Sequence, residues 1–163
     1  NINVSYAQIA GGNVEDDIIE TIKEHALDPA NICVEMTESR LIDMTIPFIR
    51  FRHKLKDSRI HFAIDDFGTG YSNLHCINDI KPDYIKIDRD FTAKAMNGQR
   101  DYELLKSIIT MIHSVNARIC VEGIEQREWC QEMKKMGADL LQGYFYGRPC
   151  KKSDFITNYV KGD

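Results

Sequence analysis

Six short apolar runs separated by amphipathic stretches set the strongest limit on what this chain can become. The runs lie over 2–5, 31–36, 60–65, 83–87, 118–122 and 139–143, each about the length of a strand. Between the first two, Val14, Ile18, Ile19, Ile22 and Ala26 recur at helical spacing, which predicts a helix over 14–26. Asn13 is placed to cap that helix and Asp16 to accept hydrogen bonds at its first turn. Further helices are expected over 45–56, 101–115 and 126–136, with a shorter one over 152–159. Strands alternating with helices are the signature of an α/β protein built on a parallel sheet. Either an open doubly wound sheet or part of a closed barrel satisfies the pattern. A (β/α)8 barrel usually takes about 250 residues and sometimes about 200. At 163 residues, this chain then reads as an incomplete TIM-type (β/α) barrel lacking roughly the first two strands. It also begins almost directly in an apolar strand.

Composition narrows the function classes. With 43% hydrophobic and 28% charged residues, the chain can bury a core and is not a disordered segment. No stretch approaches the roughly 20 apolar residues of a membrane span, and the start, N-I-N-V-S-Y, lacks the basic-then-apolar layout of a secretion signal. A net charge of −4 disfavours a groove for polymeric nucleic acid, whose phosphates need net positive patches. A small anion held through metal ions remains compatible. Five cysteines form an odd set with no C-x-x-C pair, which argues against structural zinc and for reduced thiols in a cytoplasmic setting.

The polar residues carry the functional signal, because nearly every apolar run carries an acid, an amide or a lysine at or near its end. Asn3 lies in the first run, I-C-V-E gives Glu35, F-A-I-D-D gives Asp65 and Asp66, Y-I-K-I-D gives Lys86, I-C-V-E-G gives Glu122 and L-L-Q-G-Y gives Gln142. In parallel β/α architectures the C-terminal strand ends converge on one mouth, so these residues can face one ligand. Carboxylates gathered there repel one another unless a cation joins them. Oxygen donors from Asp, Glu and Asn suit magnesium, manganese or calcium better than zinc or copper. Two ions about 4 Å apart polarise a phosphate and lower the pKa of a bound water, and Lys86 can orient that water or stabilise phosphoryl charge. The competing reading is that each acid caps the helix after its strand. Capping does not favour Glu or Lys within a strand, so five strand ends together favour the metal. The loop over 65–73, D-D-F-G-T-G-Y-S-N, adds two glycines and small hydroxyl residues beside the acids.

The segments N-V-S, E-M-T-E-S, D-D-F-G-T-G-Y-S-N-L, P-D-Y-I-K-I-D, V-E-G-I-E and Q-G-Y-F-Y-G-R-P, in this order, closely resemble the successive motifs of EAL phosphodiesterase domains. The resemblance spans nearly the whole chain. It implies a modified TIM barrel, a site for two ions of magnesium or manganese, and hydrolysis of cyclic di-GMP to linear pGpG. By motif, Asn3, Glu35, Asp65 and Glu122 resemble metal ligands, with Asp66 serving the second ion or bridging both. Lys86 resembles the lysine that positions the attacking water, and Gln142 the glutamine near that water and the second metal. Glu38 matches the glutamate that holds the loop after Asp66, and Glu125 a supporting acid behind the ligands. The resemblance also implies a homodimer and a GGDEF or sensor domain upstream in a parent protein, which can be membrane-anchored.

Asn73 and Val121 depart from the residues usual to the family, without removing a ligand. The E-A-L tripeptide is absent, and its glutamate and a nearby phosphate-holding arginine would precede Asn1. The expectation is therefore a partial EAL domain over 1–163, strands three to eight of the barrel, weak or inactive by itself. Its uncovered barrel surfaces are expected to pair with a second copy. The alternatives are a natural protein lacking those strands, a non-catalytic cyclic di-GMP receptor or interaction module, and a barrel phosphodiesterase acting on glycerol esters.

Overall fold

Each apolar run becomes one strand of a single parallel sheet in the computed structural model, which describes residues 1–38, 46–69 and 74–160. The strands are β1 (Ile2–Asn3), β2 (Cys33–Thr37), β3 (His61–Phe67), β4 (Tyr84–Ile87), β5 (Arg118–Val121) and β6 (Leu140–Leu141). The start of the helix expected over 45–56 and the last four residues of the loop over 65–73 lie outside the described residues.

Spatial order follows chain order from β1 to β6, and every neighbouring pair is parallel. A doubly wound sheet reverses direction at a switch point, whereas a barrel winds onward, so the sheet is a barrel segment. Helices fill the crossovers, α1 (Tyr6–Gly11), α2 (Val14–Glu24), α3 (Ile46–Asp57), α4 (Leu74–Ile80), α5 (Arg89–Asn97), α6 (Gln99–Ser114) and α7 (Arg127–Met136), and α8 (Lys152–Phe155) follows β6.

Strand alternation divides the two faces. Val34, Met36, Phe62, Ile64, Ile85, Ile87, Ile119 and Val121 are buried. They join one core with the apolar stripes of the helices, including Ile18 and Ile22 of α2 and Leu105, Ile109 and Ile112 of α6. Phe62 meets Phe48 and Phe51 of α3 edge-on, with ring centroids 6.0 and 6.5 Å away. The intervening residues Cys33, Glu35, His61, Ala63, Tyr84, Lys86 and Cys120 line a hollow of about 380 Å³ on the other face. That second face is where the chemistry lies.

Two aspartates lock strand starts in register by the same device. Asp83, just before β4, accepts from the Phe62 amide at 2.8 Å, and its own amide donates to the Phe62 carbonyl at 2.9 Å. Asp139, just before β6, makes the equivalent pair with Ile119 at 2.8 and 3.1 Å. Each sits beside a histidine, His61 at 3.7 Å and His113 at 2.9 Å.

Several boundaries differ from the sequence reading for local reasons. The first run ends at Asn3 because Ser5 caps α1 in a reciprocal box with Gln8. Residues 29–31 form a 3-10 turn after Asp28 and delay β2 to Cys33. The helix expected over 14–26 stops at Glu24, and Asn13 adopts a left-handed backbone (φ 82°) with no side-chain capping bond. Asp16 instead receives the Lys54 ammonium from α3 at 2.7 Å. The helix expected over 152–159 is α8 followed by a single π-turn over Ile156–Val160. Helices α1, α4 and α5 were not foreseen.

Candidate active site

A bulge in β3 brings the acids to the rim. Ile64 pairs with Ile85 and Phe67 with Ile87, so Asp65 and Asp66 together oppose the single residue Lys86. Asp66 takes the extra position with φ 55°, and its amide donates to Asp65 Oδ1 at 3.0 Å. The bulge lets two consecutive carboxylates stay near the concave side, where strict alternation would send one into the core. Just beyond, Glu38 Oε2 accepts from the Gly68 amide at 2.9 Å, tying the end of β2 to the turn after the two aspartates.

Lys86 stands at the centre. Its Nζ lies 3.1 Å from Glu35 Oε2, 3.0 Å from Asp65 Oδ1 and 2.7 Å from Glu122 Oε1. Three acids, from β2, β3 and the residue after β5, thus converge on one ammonium projecting from β4. Glu35 is 4% exposed and Lys86 7%, so neither charge is relieved by water and each depends on the cluster. Asn1 Nδ2 donates to Glu35 Oε1 at 2.6 Å and fixes the outer oxygen of that carboxylate.

The charges perturb one another strongly. Burial pulls the Lys86 pKa down, yet its contacts with Glu122 and Asp65 outweigh burial and hold it above the usual lysine range. Burial raises Glu122, and repulsion from Asp65 and Glu35 adds to this against the lowering effect of Lys86. Asp66 is raised by burial, then by Asp65 and Asp88. Beneath the cluster, burial followed by the charge of Glu35 pushes the Cys33 thiol up to about 12, and burial with Glu122 does the same for Cys120. Neither thiol is an activated nucleophile.

Not every expected site residue joins the cluster. Asn3 pairs with Glu35 in backbone register but is exposed, and the amide that reaches Glu35 belongs to Asn1. Gln142 lines the same hollow as Glu35 and Lys86, with its backbone bonded to Val121 and Ile124. Glu125 is exposed. Asn1 carried no motif, although its i, i+2 relation to Asn3 puts both on one strand face.

The donor set fits a hard divalent cation in kind, since it consists of carboxylate oxygens. Glu122 Oε1 is buried and close to the ammonium, yet has no hydrogen-bond partner of good geometry, which leaves an acceptor open to a cation. As arranged, no group of three acidic, histidine or cysteine side chains among the described residues is gathered tightly enough to hold an ion. The oxygens are drawn onto Lys86 instead.

Fold and site together define a class: a parallel β/α-barrel domain whose strand ends carry a carboxylate–lysine cluster. The chain belongs to the EAL domain family, whose family profile matches residues 1–149. It is 28% identical over 157 residues to the bifunctional diguanylate cyclase/cyclic di-GMP phosphodiesterase MucR of Pseudomonas aeruginosa, covering 96% of this chain and 23% of that protein. The crystal structure of the EAL domain of Mycobacterium smegmatis DcpA superimposes with a TM-score of 0.90 at 28% identity, over 99% of this chain and 72% of that one. A manganese/cyclic di-GMP complex of Klebsiella pneumoniae BlrP1 gives 0.83 at 25% identity, over 91% and 38%. This chain spans about a fifth to a quarter of the length of the curated relatives it matches.

Proposed function

We propose that this chain forms the larger part of an EAL phosphodiesterase domain that hydrolyses cyclic di-GMP to pGpG with two divalent ions, magnesium or manganese. The observation that carries the reading is the meeting of Glu35, Asp65 and Glu122 within 3.1 Å of a single cationic centre at the strand ends. Bound ions supply Lewis acidity toward the phosphate and a hydroxide-like water at neutral pH. Glu35, Asp65 and Glu122 hold them, with Asn3 completing the set from β1 and Asp66 serving the second ion from the bulge. Lys86 orients the attacking water and meets charge developing on the phosphoryl oxygens. Gln142, just after β6, lines the same hollow and would act near the water and the second ion. Glu38 keeps the turn after Asp66 in place, and Glu125 supports the ligands from behind.

The proposal includes a parent protein with further domains upstream, in which missing strands close the barrel, and a homodimer. The chain by itself is then weak or inactive. Among the described residues no helix is long and apolar enough to cross a membrane. A cytoplasmic site of action is part of the same reading.

Product analysis on the parent protein with manganese and cyclic di-GMP tests the activity. The expected result is pGpG formation that falls by at least about a hundredfold in Glu122→Gln, the scale of losing one electrostatic stabiliser. Binding of cyclic di-GMP without pGpG assigns the domain as a receptor instead.

A further inference from the structure

We propose that Lys86 is a tethered counter-cation: in the metal-free domain its ammonium occupies the position that a divalent ion takes between Glu35, Asp65 and Glu122, and it must leave for the ion to enter. The inference rests on the metal-dependent reading above. It starts from an electrostatic necessity. Three carboxylates from three strands cannot stay together in a mostly buried pocket without a positive charge among them. Among the described residues Lys86 alone forms ion pairs with them, one to each.

Geometry shows why lysine and a metal exclude each other. The ammonium stands 2.7 to 3.1 Å from the three oxygens. A magnesium or manganese ion requires about 2.0–2.2 Å, so the acids must draw inward onto the space the nitrogen now fills. The far side of one of them is already engaged, Glu35 Oε1 by the Asn1 amide, while Asp65 Oδ1 takes the Asp66 backbone amide and the ammonium together. Glu35 Oε2 and Glu122 Oε1, which face the ammonium and no other described group, are the oxygens free to exchange it for an ion. Glu122 Oε1 is buried with the ammonium 2.7 Å away as its one ion-pair partner among the described residues. A flexible four-carbon stem allows the ammonium to swing aside and still remain at the rim.

The consequence is that the wild-type chain binds metal more weakly than its ligands allow, because only the fraction with Lys86 displaced is competent. Calorimetric titration of manganese into the full chain and into Lys86→Met tests this. The variant is expected to bind manganese at least about tenfold more tightly, as removal of that competition requires. It is also expected to melt at a lower temperature without metal and to regain more on adding it. Equal or weaker manganese binding by Lys86→Met, with wild type binding, overturns the exchange and leaves the metal-dependent reading intact. Failure of both proteins to bind manganese removes the metal-dependent reading and the exchange with it.

Wild-type chain labelled with 15N-lysine gives a second measurement that needs no variant. The Lys86 ammonium resonance is expected to shift as magnesium is added. Backbone shifts at Asp65 and Asp66 without any change at the Lys86 ammonium overturn the proposal.

Discussion

Gly143 shows how single residues set the shape of the rim. A Cβ at this position would lie 2.1 Å from the Ile124 carbonyl oxygen and 2.3 Å from its nitrogen, both backbone atoms that cannot turn aside. Gly123, with φ 74°, is similarly closed, since a Cβ there would meet the Arg89 Cβ at 2.5 Å. Gly143 lets the segment carrying Gln142 pack directly on the loop after Glu122, and Gly123 lets that loop pack on the start of α5, so both position the site without touching a ligand. Gly143→Ala is expected to destabilise the chain by about 1–3 kcal/mol through overpacking, read from urea denaturation. An unchanged midpoint would show that the loop has room to move. At this scale much of the site is legible in the sequence, because Glu35, Asp65, Lys86 and Glu122 each lie at or near the end of an apolar run. Their common meeting point is not legible, since it depends on the curvature of the sheet and on a bulge that places Asp65 and Asp66 opposite one residue. The exchange of Asn3 for Asn1 beside Glu35 has the same origin: spacing places both on one face, and only side-chain reach separates them.

At the element scale, the acids that begin strands matter as much as those that end them. Asp139 is shifted by opposing influences: burial raises its pKa, while the Ile119 amide and His113 together lower it further, leaving it below the usual carboxylate value. A depressed folded pKa contributes stability that is present above the unfolded value of about 3.9 and is lost as pH falls through the folded value. Asp139→Asn should therefore cost stability at pH 7, and the cost should shrink as the pH is lowered below about 4. Thermal melts of both proteins across the acid range read this. A pH-independent difference would assign Asp139 a purely steric role. The helices not foreseen have physical reasons as well. Helix α1 spans six residues, too few for a 3.6-residue period to emerge, although the Ser5–Gln8 box marked its start. Helix α5 buries Thr92 and Ala95, which do not read as an apolar stripe, and its signal was Asp88, which caps it by accepting from Asp90 and Phe91.

For the whole molecule, the sequential parallel order of six strands converts positions spread over nearly ninety residues, from Glu35 to Glu122, into one cluster. Periodicity and length left an open sheet and a barrel both possible, and topology decides for the barrel segment. Strands β1 and β6 each pair on one side among the described residues, and Ile2 and Leu140 on them are exposed. That surface is consistent with a barrel completed by further chain or by a second copy. The central claim is that these strand ends form a site for divalent cations. Anomalous diffraction at the manganese edge, from crystals of the chain grown with manganese, tests it most directly. The expected result is a peak within about 2.0–2.2 Å of oxygens from Glu35, Asp65 and Glu122. Saturating manganese with no peak between those three carboxylates would contradict it.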